Sequence, residues 1–270
     1  MPEILTDMSA PALAAATRAN LYEFFLCGER APVMELARRD GFVRWFLPHP
    51  LAWFHGALSS RDAAPGDGDA LDETLAYFKE KNAGEVCWWL QDNVSAEGWE
   101  ELLAARGFTS VEGPPGMAVD LSALPDHVVL PPGTEIHKVE DAVDMRTFTE
   151  LVSAVFGFPP ESVDVICEWE IGVGLGFPST CYVASLKGVP VGTSQVLYGA
   201  GVPGVYNVAV TEEARGKGLG AALTLQPLLE ARAMGYRAGV LQSSESGYSL
   251  YRRLGFAQHC RLDFSCLKLE

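Results

Sequence analysis

No apolar run in this chain approaches the ~18–20 residues that a membrane-spanning helix requires. The N-terminal stretch MPEILTDMSAPALAAATRAN carries acids early and has no basic start leading into a continuous apolar block. It does not read as an export signal, and a first amphipathic helix is expected there. Cysteine is sparse and scattered: Cys27, Cys87, Cys167, Cys181, Cys260 and Cys266 form no C-x-x-C pair, and no Cys/His cluster has zinc spacing. No metal site is expected. Reduced thiols, each a small buried hydrophobe, in a cytoplasmic chain are the expectation. Cations are short too. Against 35 Asp and Glu stand 20 Lys and Arg, for a net charge of −15. Such a surface repels nucleic acid and anionic lipid, so neither is expected as a partner.

What is present is enough for a core, since 48% of the 270 residues are hydrophobic. That is too much for disorder, and the length suits one large or two ordinary domains. An internal repeat points to two. Near the end, YRAGVLQSSESGYSLYRRLGF reads as a short apolar strand, a polar stretch, an amphipathic helix and Gly-Phe; near the middle, EVCWWLQDNVSAEGWEELLAARGF follows the same order. Leu241-Gln242 leads to Gly255-Phe256 as Leu90-Gln91 leads to Gly107-Phe108. In both, the glycine suits a helix C-terminus, where positive φ is wanted. Pro125, Pro131, Pro132 and Gly133 interrupt the periodicity between the copies. The expected units are therefore 1–125 and 133–270.

Within the second unit, residues 144–157 have helical spacing and a shorter helix follows Pro159-Pro160. Residues 180–210 hold β-rich runs broken at Lys187-Gly188 and Ala200-Gly201, which predicts an antiparallel meander. A helix from about 218 to 234 follows, with Pro227 inside it to bend it. The stretch GVGLGFP at 172–178 also spaces glycines, but Pro178 stops it and a loop is expected.

The stretch EARGKGLGAALT at 213–224 concentrates the chemistry. Glycines without Cβ atoms expose backbone N–H groups, and a helix N-terminus adds partial positive charge. Arg215 and Lys217 add full charges. Together they suit a pyrophosphate. The spacing is neither G-x-x-x-x-G-K-[S/T] nor G-x-G-x-x-G. The first unit has Asp62, Asp67 and Asp69 in the equivalent loop, which would repel such a ligand.

Arg215-Gly216-Lys217-Gly218-Leu219-Gly220 resembles the R/Q-x-x-G-x-G/A motif of the GNAT superfamily of N-acetyltransferases. The preceding YNVAV resembles that family's fourth strand, and GYSLYRRLGF its final helix. The first half resembles the degenerate N-terminal copy of tandem members. The resemblance implies an α/β (α+β) fold of two units, each a mixed, mostly antiparallel sheet flanked by helices. It implies acetyl-CoA or a related acyl-CoA, and an amine acceptor that is a small molecule or peptide. It places the pyrophosphate on the amides of Arg215, Gly216, Lys217, Gly218, Leu219, Gly220 and Ala221. Val208, Ala209 and Val210 would hold the pantetheine arm, with the Val208 N–H as oxyanion donor. Tyr251 occupies the position of the family's general acid, and Ser244 that of a family Asn near the cofactor. Asn207 stands on a strand with no carboxylate, where it can orient an amine but not deprotonate it; Glu168 and Glu170 on the second helix could line the acceptor site. A catalytically silent CoA-binding protein, or acyl transfer to a hydroxyl or thiol, are the alternatives.

Overall fold

The computed structural model describes residues 3–49, 54–92 and 94–269. In chain order the first half gives α1 (Ala10–Leu26), β1 (Glu35–Arg39), β2 (Phe42–Phe46), β3 (His55–Ser59), α2 (Asp67–Glu80), β4 (Glu85–Leu90), α3 (Ala96–Ala104), β5 (Thr109–Val111) and β6 (Pro115–Asp120). The second gives β7 (Thr134–Lys138), α4 (Ala142–Phe156), α5 (Ser162–Val173), β8 (Ser179–Leu186), β9 (Val189–Gly199), β10 (Val202–Val210), α6 (Leu219–Ala233), β11 (Ala238–Gln242), α7 (Glu245–Arg253), β12 (Ala257–Arg261) and β13 (Phe264–Lys268). The fold is α/β, built on two mixed, mostly antiparallel sheets.

Local chemistry sets these boundaries. The Asp141 carboxylate accepts from the N–H groups of Val143 and Asp144 and so starts α4; Gly157, at φ 72, ends it in the left-handed region. The two turns of the β8–β9–β10 meander have positive φ at both central residues: 52 and 79 at Lys187-Gly188, 51 and 75 at Ala200-Gly201. That backbone matches the twist of the flanking strands. The expected meander over 180–210 is thus present, and so are the expected helices on either side of it.

The sheets run β1-β2-β3-β4-β13-β5 and β12-β6-β11-β10-β9-β8-β7. Each unit thus lends one strand to the other. β6, from the first half of the chain, lies between β11 and β12, and its register with β11 runs from Ala238 opposite Asp120 to Gln242 opposite Gly116. β13, from the chain's end, lies between β4 and β5. β12 and β13 follow each other along the chain but join different sheets.

This exchange also corrects the cysteine reading. Cys87 and Cys266 face each other across β4 and β13 and are joined as a disulfide. They are not reduced thiols. Cys27, Cys167, Cys181 and Cys260 are free.

Helix α1 is not amphipathic in the expected one-sided sense. Leu13 and Ala16 pack with Ala118, Val202, Ala238 and Val240 of the second sheet. Tyr22 and Phe25 join Trp45, Trp89, Leu197 and Tyr206 in a cluster shared by both units. Asn20 is fully buried. Its Nδ2 donates to the carbonyls of Gly199 at 2.9 Å and Val202 at 3.0 Å, and its Oδ1 accepts from the Tyr206 hydroxyl at 2.6 Å. An early helix is thereby fastened to the β9–β10 hairpin, and the two units share a core.

Candidate active site

Strand β10 carries the site. It runs parallel to β11 for only two register pairs, Gly204 with Val240 and Val205 with Leu241. Its antiparallel register with β9 passes from Tyr206 opposite Gln195 straight to Ala209 opposite Thr193. Asn207 and Val208 together stand opposite the single residue Ser194, so β10 carries one extra residue in a bulge, and Asn207 takes φ 50 to make it. A bulge of this kind bends its strand, and here β10 leaves β11 and opens a wedge between them. Asn207 is pinned twice. Its carbonyl accepts from Thr193 Oγ1 at 2.8 Å, and its Nδ2 donates to Gln195 Oε1 at 2.7 Å.

At the far end of β10 the chain turns through a short 3-10 helix, Glu212–Ala214, into the glycine loop. Gly216 and Gly218 have φ 73 and 89, and a Cβ at either would meet nothing within 4 Å. The loop is therefore an open, left-handed cradle, with Gly218 as the residue before the first turn of α6. Arg215, Gly216, Lys217 and Gly218 are exposed. Lys217 Nζ donates to the Glu213 carbonyl at 2.6 Å and Arg215 Nε to the Val210 carbonyl at 3.1 Å. Both cations are thus held beside the cradle. Leu219 and Ala214 pack under it against Val208 and Val210, which ties the loop to the bulged strand. The residues fit an anionic diphosphate: open N–H groups, a helix N-terminus and two cations. Pro227 lies buried inside α6.

The corresponding loop of the first unit shares the left-handed glycine before its helix but lacks the second one. Gly66, at φ 95, precedes α2 as Gly218 precedes α6. The Asp67 carboxylate accepts from the Ala64 N–H at 2.7 Å and from Arg61 at 2.8 and 3.0 Å. This loop's own carboxylate thus takes up its nearby cation and a loop N–H. Asp62 accepts from the Ser95 N–H.

Tyr251 lies on α7 in the same apolar cluster as Val208. Its ring meets Phe256 edge-on at 5.9 Å. Burial pushes its hydroxyl up to about 12. Ser244 begins α7, its hydroxyl accepting from the Gly247 N–H at 3.2 Å.

A cavity of about 390 Å³ opens at the wedge. Asn207 and Gln242 line it from the two parted strands, and both chain halves supply the rest of its wall. The two candidate carboxylates separate here. Glu168 is exposed, whereas Glu170 is buried and lines the cavity. Glu170 Oε2 accepts from Gln195 Nε2 at 2.8 Å, and Gln195 is the residue that holds Asn207. Burial pushes the Glu170 carboxyl up to about 8. The sequence reading missed Thr193 and Gln195, which sit on an ordinary strand. A helical signal for Glu170 does exist: it lies four residues after Ile166 and shares that residue's inward face.

Residues 178–258 match the acetyltransferase (GNAT) domain family. No curated protein matches the sequence. Among solved structures, a GCN5-related N-acetyltransferase from Kribbella flavida superposes with a TM-score of 0.66 at 17% identity, over 98% of this chain and 97% of that one. A GCN5-related N-acetyltransferase from Sphaerobacter thermophilus gives 0.59 at 19% identity, covering 98% and 94%. A tandem GNAT protein from the clavulanic acid biosynthesis pathway gives 0.60 at 16%, covering 97% and 95%. The bulged strand, the glycine cradle and the final helix all fall inside the matched segment, so the second half of the chain carries a segment matching the acetyltransferase (GNAT) domain family, and the chain as a whole shares the two-unit fold of these solved structures.

Proposed function

We propose that this protein is an acyl-CoA-dependent N-acyltransferase that moves an acetyl group from acetyl-CoA to a primary amine by direct attack in a ternary complex. The observation that carries this reading is the open cradle at Gly216–Gly218 joined directly to a bulged strand that parts from its neighbour. Amides from Arg215 to Ala221 would hold the pyrophosphate, and the backbone of Val208, Ala209 and Val210 the pantetheine arm. Ser244, at the start of α7, is the remaining proposed contact. When bound, the cosubstrate supplies an activated thioester. The protein's own part is to align, to polarise and to move protons. Alignment of two reactants supplies much of such a rate. The Val208 N–H is the proposed donor to the developing oxyanion, and Asn207 orients the amine. Tyr251 supplies a proton where the sulfur departs.

A catalytically silent CoA-binding protein is the second reading; what favours it is the absence of a carboxylate in Gly204-Val205-Tyr206-Asn207-Val208. Thiol release from acetyl-CoA, assayed over amines, alcohols and thiols, separates the cases. Amine-dependent release with matching N-acetylated product supports the proposal. Binding of CoA without release supports the silent protein, and release with alcohols or thiols alone moves the reaction to another acceptor.

A further inference from the structure

The cavity at the wedge has a composition that selects among amines. Its wall includes Phe24, Phe25, Trp45, Phe54, Val152 and Trp169. Four polar side chains line it, and of these Gln242 keeps a buried, unpartnered Nε2 donor. Asn207 is held by Gln195, and the Tyr206 hydroxyl is spent on Asn20. Glu170 is 1% exposed. One of its oxygens is taken by Gln195, and the other, Oε1, is buried without a hydrogen-bond partner. An unsatisfied buried carboxyl oxygen costs free energy that a donor on a ligand would recover. We infer that this inter-unit cavity binds the acceptor, a primary amine on an apolar aromatic or aliphatic body, with the Glu170 carboxyl as the group that receives its N–H. The inference rests on the acyl-transfer reading above.

Three features argue for this class. The wedge is where β10 gives up β11, so a ligand's head at Asn207 lies against the bulge proposed to hold the thioester. A volume of about 390 Å³ accepts a small molecule. A sugar or a peptide would bury several hydroxyls or amides against mostly aromatic walls whose unpartnered side-chain atoms are Glu170 Oε1 and Gln242 Nε2, and each group left unpaired costs about 1–3 kcal/mol. An apolar body instead gains roughly 0.8 kcal/mol for each methylene removed from water. Burial raises the Glu170 carboxyl to about 8; an ammonium beside it would favour its ionised form and lower that value.

The test uses the full chain, with binding read one probe at a time and acetyl transfer read separately with acetyl-CoA added. Trp45 and Trp169 line the cavity, so quenching of tryptophan fluorescence reports occupancy. The probes are n-octylamine, 2-phenylethylamine, n-octanol, glucosamine, a short lysine peptide, acetyl-CoA and octanoyl-CoA. The expected result is that the two apolar amines bind at least 10-fold more tightly than glucosamine or the peptide. Glu170→Gln, which keeps the contact with Gln195, should weaken octylamine at least 10-fold and leave octanol unchanged. Should that variant fail to fold, the wild-type comparison decides by itself. Glucosamine or peptide binding as tightly as octylamine overturns the inference. So does octanoyl-CoA binding far more tightly than acetyl-CoA while octylamine does not bind, because the cavity then takes the acyl chain. Acetyl transfer to glucosamine or peptide alone overturns the apolar class and leaves the acyl-transfer reading standing. Octylamine binding with no acetylation of any amine overturns the acceptor role together with that reading.

Discussion

At the scale of single residues, two buried acids set the behaviour with pH. Tyr251 has its hydroxyl raised to about 12 by burial, so it stays protonated through the usable range. Its proposed role is to give a proton, and no loss of activity below about pH 10 should trace to it. Tyr251→Phe keeps the ring against Phe256. CoA affinity should stay near wild type, while single-turnover transfer falls by about 10²–10⁴, the usual range for one acid–base group. A variant that matches wild type in single turnover would place the acid elsewhere. Glu170 also has a raised value, about 8 against an ordinary 4.5. The native state therefore holds a proton that the unfolded chain gives up, and the stability it contributes is fully present below about pH 4.5 and lost as pH rises through about 8. Glu170→Gln should flatten that decline, which is at most about 1.4 kcal/mol per pH unit. Chemical denaturation at several pH values reads this directly. Parallel wild-type and variant curves would mean that Glu170 is ionised in the folded protein. Its burial was only partly visible in sequence. The helical period puts it with Ile166, but nothing local announces that the facing wall is Phe24 and Trp45 from the other half of the chain.

At the scale of elements, the glycine loop was the most legible feature because its chemistry is local. Gly216 and Gly218 take positive φ, Arg215 and Lys217 alternate with them, and a helix begins; each of these is a short-range property. The turns at Lys187-Gly188 and Ala200-Gly201 were legible for the same reason. The bulge at Asn207 was not, since the sequence there reads as an unbroken strand and the skipped register depends on β9. The contrast between the two loops sharpens an expectation from composition. Composition places acids where they would repel a phosphate in the first loop, and the structure adds that the Asp67 carboxylate is bound by Arg61 and the Ala64 N–H. Gly218→Glu tests the second loop. Its Cβ enters open space, but the side chain brings a negative charge to the cradle, and φ 89 costs about 1–2 kcal/mol for any residue with a Cβ. CoA affinity should fall at least ~10-fold, or about 1.4 kcal/mol, with circular dichroism unchanged.

At the scale of the whole molecule, the exchanged strands join the two units. β6 completes the second sheet and β13 the first, so neither 1–126 nor 127–270 contains a full sheet. Each piece alone should lack a cooperative unfolding transition, and mixing them during refolding should restore one; two independent transitions in the separate pieces would show that the exchange is dispensable. The exchange was illegible in sequence because alternating polarity tells a strand which face to bury and not which sheet to join. Asn20 secures the same junction, and Asn20→Ala should cost about 1–3 kcal/mol by stranding the Tyr206 hydroxyl and two carbonyls. The central claim is that one molecule holds one acyl-CoA, in the second unit alone. Calorimetric titration of the intact chain with acetyl-CoA tests it most directly. The account predicts a single site per chain, lost or weakened at least ~10-fold in Gly218→Glu. Two equivalent sites, or an affinity that Gly218→Glu leaves untouched, would contradict it.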